Sequence, residues 1–167
     1  MHIKFLNYYF LGSLLIDEMK LTEGFRFNRD TCQFQGFVDL GEYTSEAQKN
    51  EPGDHALVFM FQPFRGKWIQ ALACFLSKGC ARSNVLTSLI LECITYLENA
   101  GFFCDVITTD GAQWNRTMWT NFGISEENIS CQHPCDPERR LWFCSDFPHL
   151  IKNFRNWIVK HEEIWVQ

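Results

Sequence analysis

Three apolar runs in this chain stop at an aspartate, and that pattern limits the folds open to it. Leu14-Leu15-Ile16 ends at Asp17, Val106-Ile107-Thr108-Thr109 ends at Asp110, and Leu141-Trp142-Phe143-Cys144-Ser145 ends at Asp146. Short apolar runs bounded by polar turns read as strands covered on both faces, the interior strands of a sheet packed between helices. Such strands can bring their terminal acids to one sheet edge, outside the carboxyl ends of the strands. The plainer alternative is that each acid is a turn former or a helix cap. Asp110-Gly111 is an ordinary turn pair, and Asp146 ahead of Pro148 can cap a following helix.

If the acids converge, they repel one another unless a cation or a proton sits between them. Hard oxygen donors of this kind suit Mg²⁺ or Mn²⁺. Two such ions roughly 3.5–4 Å apart activate a water or a 3′-hydroxyl and stabilise the leaving oxygen in phosphodiester cleavage or transfer.

The remaining elements follow in order. Residues 11–21 begin apolar and end in charges, as a central strand does where it emerges at a sheet edge. Gly24-Phe25-Arg26-Phe27 and Phe34-Gln35-Gly36-Phe37-Val38 flank the turn-like Asn28-Arg29-Asp30-Thr31, which predicts a hairpin. Residues 42–54 are polar, contain Pro52-Gly53 and read as a loop, and residues 55–61 and 68–76 are further strands. Ser83 then caps the clearest helix: Val85, Leu86, Leu89, Ile90, Cys93, Ile94 and Leu97 recur at three-and-four spacing, and Gly101 ends the run. A buried-type strand over 102–108, a short helix over 115–122, a polar loop over 125–140 and a short strand over 141–144 come next. Pro148 lies in the first turn of a last helix running to about residue 163. Early antiparallel strands followed by alternating helices and strands predict a mixed α/β sheet flanked by helices, in one domain spanning 1–167.

Composition narrows the function. Hydrophobic residues make up 46% and charged residues 21%, enough to fill a core. The net charge of −5 argues against a stand-alone nucleic-acid clamp, whose affinity rests on a basic surface, but leaves room for an acidic site within a larger basic protein. Of the eight cysteines, Cys74, Cys93, Cys104 and Cys144 sit in apolar runs as small hydrophobes, which points to a reducing compartment and makes the sequons at Asn115 and Asn128 incidental. The apolar N-terminal stretch lacks a small-residue cleavage site and runs into Asp17-Glu18, so it reads as a strand and not a secretory signal. No window approaches a membrane span. Trp114, Trp119, Trp157 and Trp165 are candidates for an apolar surface awaiting neighbours.

Three weaker patterns complete the reading. His149, Lys152 and Arg155, three apart on the last helix, form a polar stripe that either contacts DNA phosphates or is simply a solvated face. Cys131, His133 and Cys135 offer soft ligands but no fourth at zinc-site spacing, so a plain loop is expected. The glycines form no phosphate-cradling pattern.

At the residues that carry the acids the chain resembles the P-element type transposases, including the THAP-domain transposases. The resemblance rests on Asp17-Glu18-Met19, Gly36-Phe37-Val38-Asp39-Leu40-Gly41, Phe59-Met60, Thr109-Asp110-Gly111 with Asn115-Arg116, and Asp146-Phe147-Pro148-His149-Leu150-Ile151-Lys152-Asn153-Phe154-Arg155-Asn156. It implies an RNase H-like fold, cut-and-paste DNA transposition with Mg²⁺ or Mn²⁺, a nuclear location, and transposon-end DNA as partner, and it is compatible with a homo-oligomer. By position Asp17 corresponds to the family's first catalytic acid and metal ligand, and Asp110 to the second. The third is a Glu on a later helix, beyond an inserted GTP-binding domain. Neither that Glu, nor the insertion, nor the N-terminal zinc-coordinating domain has a counterpart in these residues, so GTP binding is assigned to none of them. Asp146, with 35 residues between it and Asp110, is the best substitute among those present. Glu162 and Glu163 would lie about 20 Å from the start of the last helix. Two functions stay open: part of a metal-dependent transposase catalytic domain, or an inactive remnant serving as a nucleic-acid or protein interaction module.

Overall fold

The computed structural model describes residues 10–111 and 113–160. In chain order the elements are β1 (Leu11–Lys20), β2 (Arg26–Asn28), β3 (Gln33–Gln35), a single 3₁₀ turn at Gly41–Tyr43, β4 (His55–Pro63), β5 (Gln70–Ser77), α1 (Ser83–Asn99), β6 (Phe103–Thr109), α2 (Gln113–Asn121), β7 (Ser130–Gln132), β8 (Arg140–Ser145) and α3 (Phe147–Lys160). Six strands form one sheet in the order β5-β4-β1-β6-β8-β7, while β2 and β3 form a separate two-stranded ribbon. β1 lies antiparallel to β4 and parallel to β6, and β6 is parallel to β8, so the sheet is mixed about its central strand.

The apolar pattern explains this placement. Leu14 and Ile16 of β1, Phe59 and Phe61 of β4 and Ile107 of β6 are buried on one face, and α1 covers them with Leu86, Leu89, Ile90, Cys93, Ile94 and Leu97. Burying each of the larger of these side chains is worth about 1.5–3 kcal/mol, so packing and not capping holds the helix. Arg82, not Ser83, stands at its N-cap, and no side chain caps it. At the other end Gly101 takes a φ of +83°, and the Phe102 N–H donates to the Leu97 carbonyl at 2.9 Å, a turn that needs a residue without Cβ strain. In β1, Gly12 lets the neighbouring strand come close: a Cβ there would lie 2.3 Å from the Gln62 carbonyl oxygen. α2 adds Met118, fully buried, to the same core.

Several expectations need correction. The predicted loop over 125–140 contains β7, whose Ser130, Cys131 and Gln132 pair with Trp142, Leu141 and Arg140 of β8. The second hairpin strand is shorter than predicted and stays out of the main sheet. Cys93 and Cys104 are buried, but Cys74 and Cys144 are exposed. All eight cysteines are free thiols. Trp119 packs against the core with Phe143, ring centroids 6.2 Å apart, whereas Trp157 is exposed. The Trp114 side chain, Trp165, Glu162, Glu163 and residues 1–9 lie outside what is described. α3 carries Leu150, Ile151, Phe154, Trp157 and Ile158 exposed along its length. No described helix is long and apolar enough to cross a membrane.

Candidate active site

The strand registers put the three acids on one level. Ile16 of β1 sits opposite Thr109 of β6, and Thr109 sits opposite Ser145 of β8. Asp17, Asp110 and Asp146 are each the next residue. Parallel strands in this register deliver all three to the carboxyl edge of the sheet, where ligands of open α/β sheets bind. There they line a cleft of about 170 Å³ together with Leu15, Met60, Thr108 and His149.

Each carboxylate has a local partner. The Glu18 backbone N–H donates to Asp17 Oδ1 at 2.9 Å. Asn115, on the first turns of α2 and almost fully buried, donates its side-chain amide to Asp110 Oδ1 at 2.6 Å. His149 Nδ1 meets Asp146 Oδ2 at 2.5 Å. The Asp146 backbone N–H donates to the Thr109 carbonyl at 2.7 Å, and the Asp146 carbonyl accepts the Leu150 N–H at 3.0 Å, so the start of α3 is fastened to the end of β6. Asp146 therefore caps α3 through its backbone while its side chain lines the cleft.

Among the described residues that line the cleft there is no Lys or Arg, and His149 is the one basic side chain beside the three acids. Behind them, burial pushes the Glu18 carboxyl above its usual range. The negative charge of Asp110 acts the same way, against opposing contributions from His55, the Cys80 thiol and the Ala81 backbone. The buried hydroxyl of Thr109, the residue before Asp110, has no hydrogen-bond partner among the described residues. Such a surplus of negative charge favours a cation, and three hard oxygen donors suit Mg²⁺ or Mn²⁺ in kind. As placed, the side chains are turned towards their protein partners. Among the described residues no three His, Cys, Asp or Glu groups form a ready-made cluster, so joint coordination requires rotation about their side-chain torsions.

The polar stripe divides. His149 faces the cleft and holds Asp146, while Lys152 and Arg155 lie further along exposed α3 and are not among the cleft residues. His133 is buried: its Nε2 lies 3.0 Å from the Cys104 carbonyl and its Nδ1 accepts the Cys135 N–H at 3.2 Å, so both ring nitrogens are engaged within the fold. Two contributors went unassigned in the sequence, Asn115 as the partner of Asp110 and His149 as the partner of Asp146. Their signals were an Asn five residues after a strand-end acid and a His three residues after a helix-capping one.

The sheet order, the mixed strand directions and the acids along one edge define an RNase H-like domain, and a solved structure shares this fold. The "Drosophila P element transposase strand transfer complex" superposes with a TM-score of 0.71 at 25% identity, over 92% of this chain and 30% of that one. Residues 4–123 match the family described as TNP-like, RNase H N-terminal domain, and the chain belongs to that family. It is 28% identical over 147 residues to the transposable element P transposase of Drosophila melanogaster, covering 87% of this chain and 17% of that protein. It is 24% identical over 148 residues to the DNA transposase THAP9 of Homo sapiens, covering 86% of this chain and 16% of that protein. The chain thus spans about one sixth of the length of these curated relatives.

Proposed function

We propose that this chain is the strand-bearing part of a DNA transposase catalytic domain, with Asp17 and Asp110 as ligands for Mg²⁺ or Mn²⁺ and Asp146 as a third acid at the same cleft. The observation that carries this reading is the shared level of the three acids across β1, β6 and β8. When bound, the divalent metal supplies activation of a water or 3′-hydroxyl and stabilisation of the leaving oxygen in phosphodiester cleavage and strand transfer. The protein's own part is placement. β1 and β6 fix the two aspartates on rigid neighbouring strands, Asn115 holds one oxygen of Asp110, and His149 holds one oxygen of Asp146. Transposon-end DNA is the substrate and the nucleus the location that fit this reading. GTP has no binding residue here to which it could be assigned.

A second reading is an interaction module without catalysis. The uncovered apolar residues of α3 favour it, since such a surface suits a neighbouring protein.

Calorimetric titration with Mn²⁺ separates the two. The wild-type chain is expected to give saturable heat that an Asp17→Asn, Asp110→Asn double variant lacks. Equal heats from both proteins would remove the metal site from the account.

A further inference from the structure

We propose that the β2–β3 ribbon is a contact surface for unpaired bases of DNA at the carboxylate edge, an inference that rests on the DNA-processing reading above. The ribbon is poor at burying its own apolar groups. Phe25, Phe27 and Phe34 are 55%, 48% and 64% exposed, Phe27 and Phe34 on strands that pair only with each other and Phe25 just ahead of β2. Phe27 and Phe34 stand directly opposite across the ribbon with ring centroids 5.1 Å apart, and Phe25 packs on Phe37 at 4.7 Å. The two ring pairs bring four phenylalanines together on and beside the ribbon. Exposed aromatics on a strand platform stack successive bases with little regard to sequence, and neighbouring cations engage the phosphates.

The charge fits the same partner. Arg26 of β2, on the ribbon face opposite Phe27, and Arg29 in the connecting turn are both exposed, against the single acid Asp30. The ribbon is therefore locally basic in a chain of net charge −5. Its position also fits. It follows the carboxyl end of β1, whose last residue, Lys20, lies three residues past Asp17, and the chain leading into it is tied by the Leu21 N–H to the Asp54 carbonyl at 2.7 Å, just ahead of β4. The ribbon thus emerges from the sheet edge that carries Asp17, Asp110 and Asp146.

The test uses the full chain and a fluorescein-labelled single-stranded oligonucleotide of mixed sequence, read by anisotropy in EDTA at low salt. Because no metal is present, the result is independent of the Mn²⁺ titration. Wild type is expected to bind, with about tenfold or greater loss in a Phe27→Ala, Phe34→Ala variant. An Arg26→Ala, Arg29→Ala variant is expected to weaken binding and to flatten its salt dependence. Circular dichroism checks folding, and the arginine variant carries the test if the phenylalanine variant unfolds. Unchanged binding in both variants, no binding by wild type, or stronger binding to an equal-length duplex overturns the proposal.

Discussion

Asn115 donates its side-chain amide to Asp110 at 2.6 Å from a buried position on α2, and so couples the second strand-end acid to the helix that follows it. Partners of this kind orient a metal ligand, and their loss costs about 10–100-fold in metal affinity. Asn115→Ala is expected to lower Mn²⁺ affinity by about tenfold or more while the chain still melts cooperatively. Unchanged affinity by calorimetry would make the contact structural only.

Arg139, partly buried, ties α1 to β6. Its guanidinium meets Glu98 of α1 at 2.7 and 2.9 Å, and its Nε donates to Asp105 of β6 at 2.9 Å. Glu98 also accepts the Cys104 backbone N–H at 3.0 Å. Removing the cation would strand two carboxylates in a half-buried network, so Arg139→Ala is expected to cost about 3 kcal/mol or more in urea unfolding at neutral pH. A loss below about 1 kcal/mol would place this network among ordinary surface pairs.

Much of this fold is legible in the sequence where one physical signal dominates. The three-and-four spacing from Val85 to Leu97 could only be a helix with one buried face, and the runs before Asp17 and Asp110 could only be interior strands. β7 escaped because Ser130, Cys131 and Gln132 form an edge strand with one neighbour, and such strands need no apolar alternation. Ser83 misled because a cap preference says little when six buried side chains already fix the helix. Within the site, the acids were visible where apolar runs stop: Asp110 and Asp146 do follow the ends of β6 and β8, whereas β1 continues past Asp17 to Lys20. Their partners were not, because Asn115–Asp110 and His149–Asp146 depend on the turn geometry after each strand.

Thiol reactivity should follow burial. Desolvation pushes the Cys104 thiol up to about 12 and the Cys93 thiol up to about 11, well above an ordinary cysteine. Brief iodoacetamide treatment of the native chain, read by peptide mass spectrometry, is expected to label Cys32, Cys74, Cys135 and Cys144 while sparing Cys93 and Cys104 until denaturant is added. Early labelling of Cys104 would contradict the packing of β6 against α1.

Acid sensitivity should involve Asp54. Hydrogen bonds from His55 and from the Gly79 backbone N–H hold its carboxyl down at about 2. The unfolded value is about 3.9, so the unfolded chain binds the proton more readily. The stabilisation is present above about pH 4 and fades as pH falls towards about 2. Asp54→Asn is expected to lower the melting temperature at neutral pH and to narrow the gap to wild type at acid pH. A gap that stays constant across that window would show that Asp54 does not titrate differently in the two states.

The central claim is that a divalent cation sits among Asp17, Asp110 and Asp146, and metal-directed backbone cleavage tests it most directly. The chain is loaded with Fe²⁺, treated with ascorbate and peroxide, and its fragments are mapped by mass spectrometry. Cuts are expected to cluster beside Asp17, Asp110 and Asp146, to be suppressed by excess Mg²⁺ and to be absent from the Asp17→Asn, Asp110→Asn variant. Cuts elsewhere, or the same cuts in that variant, would contradict the claim.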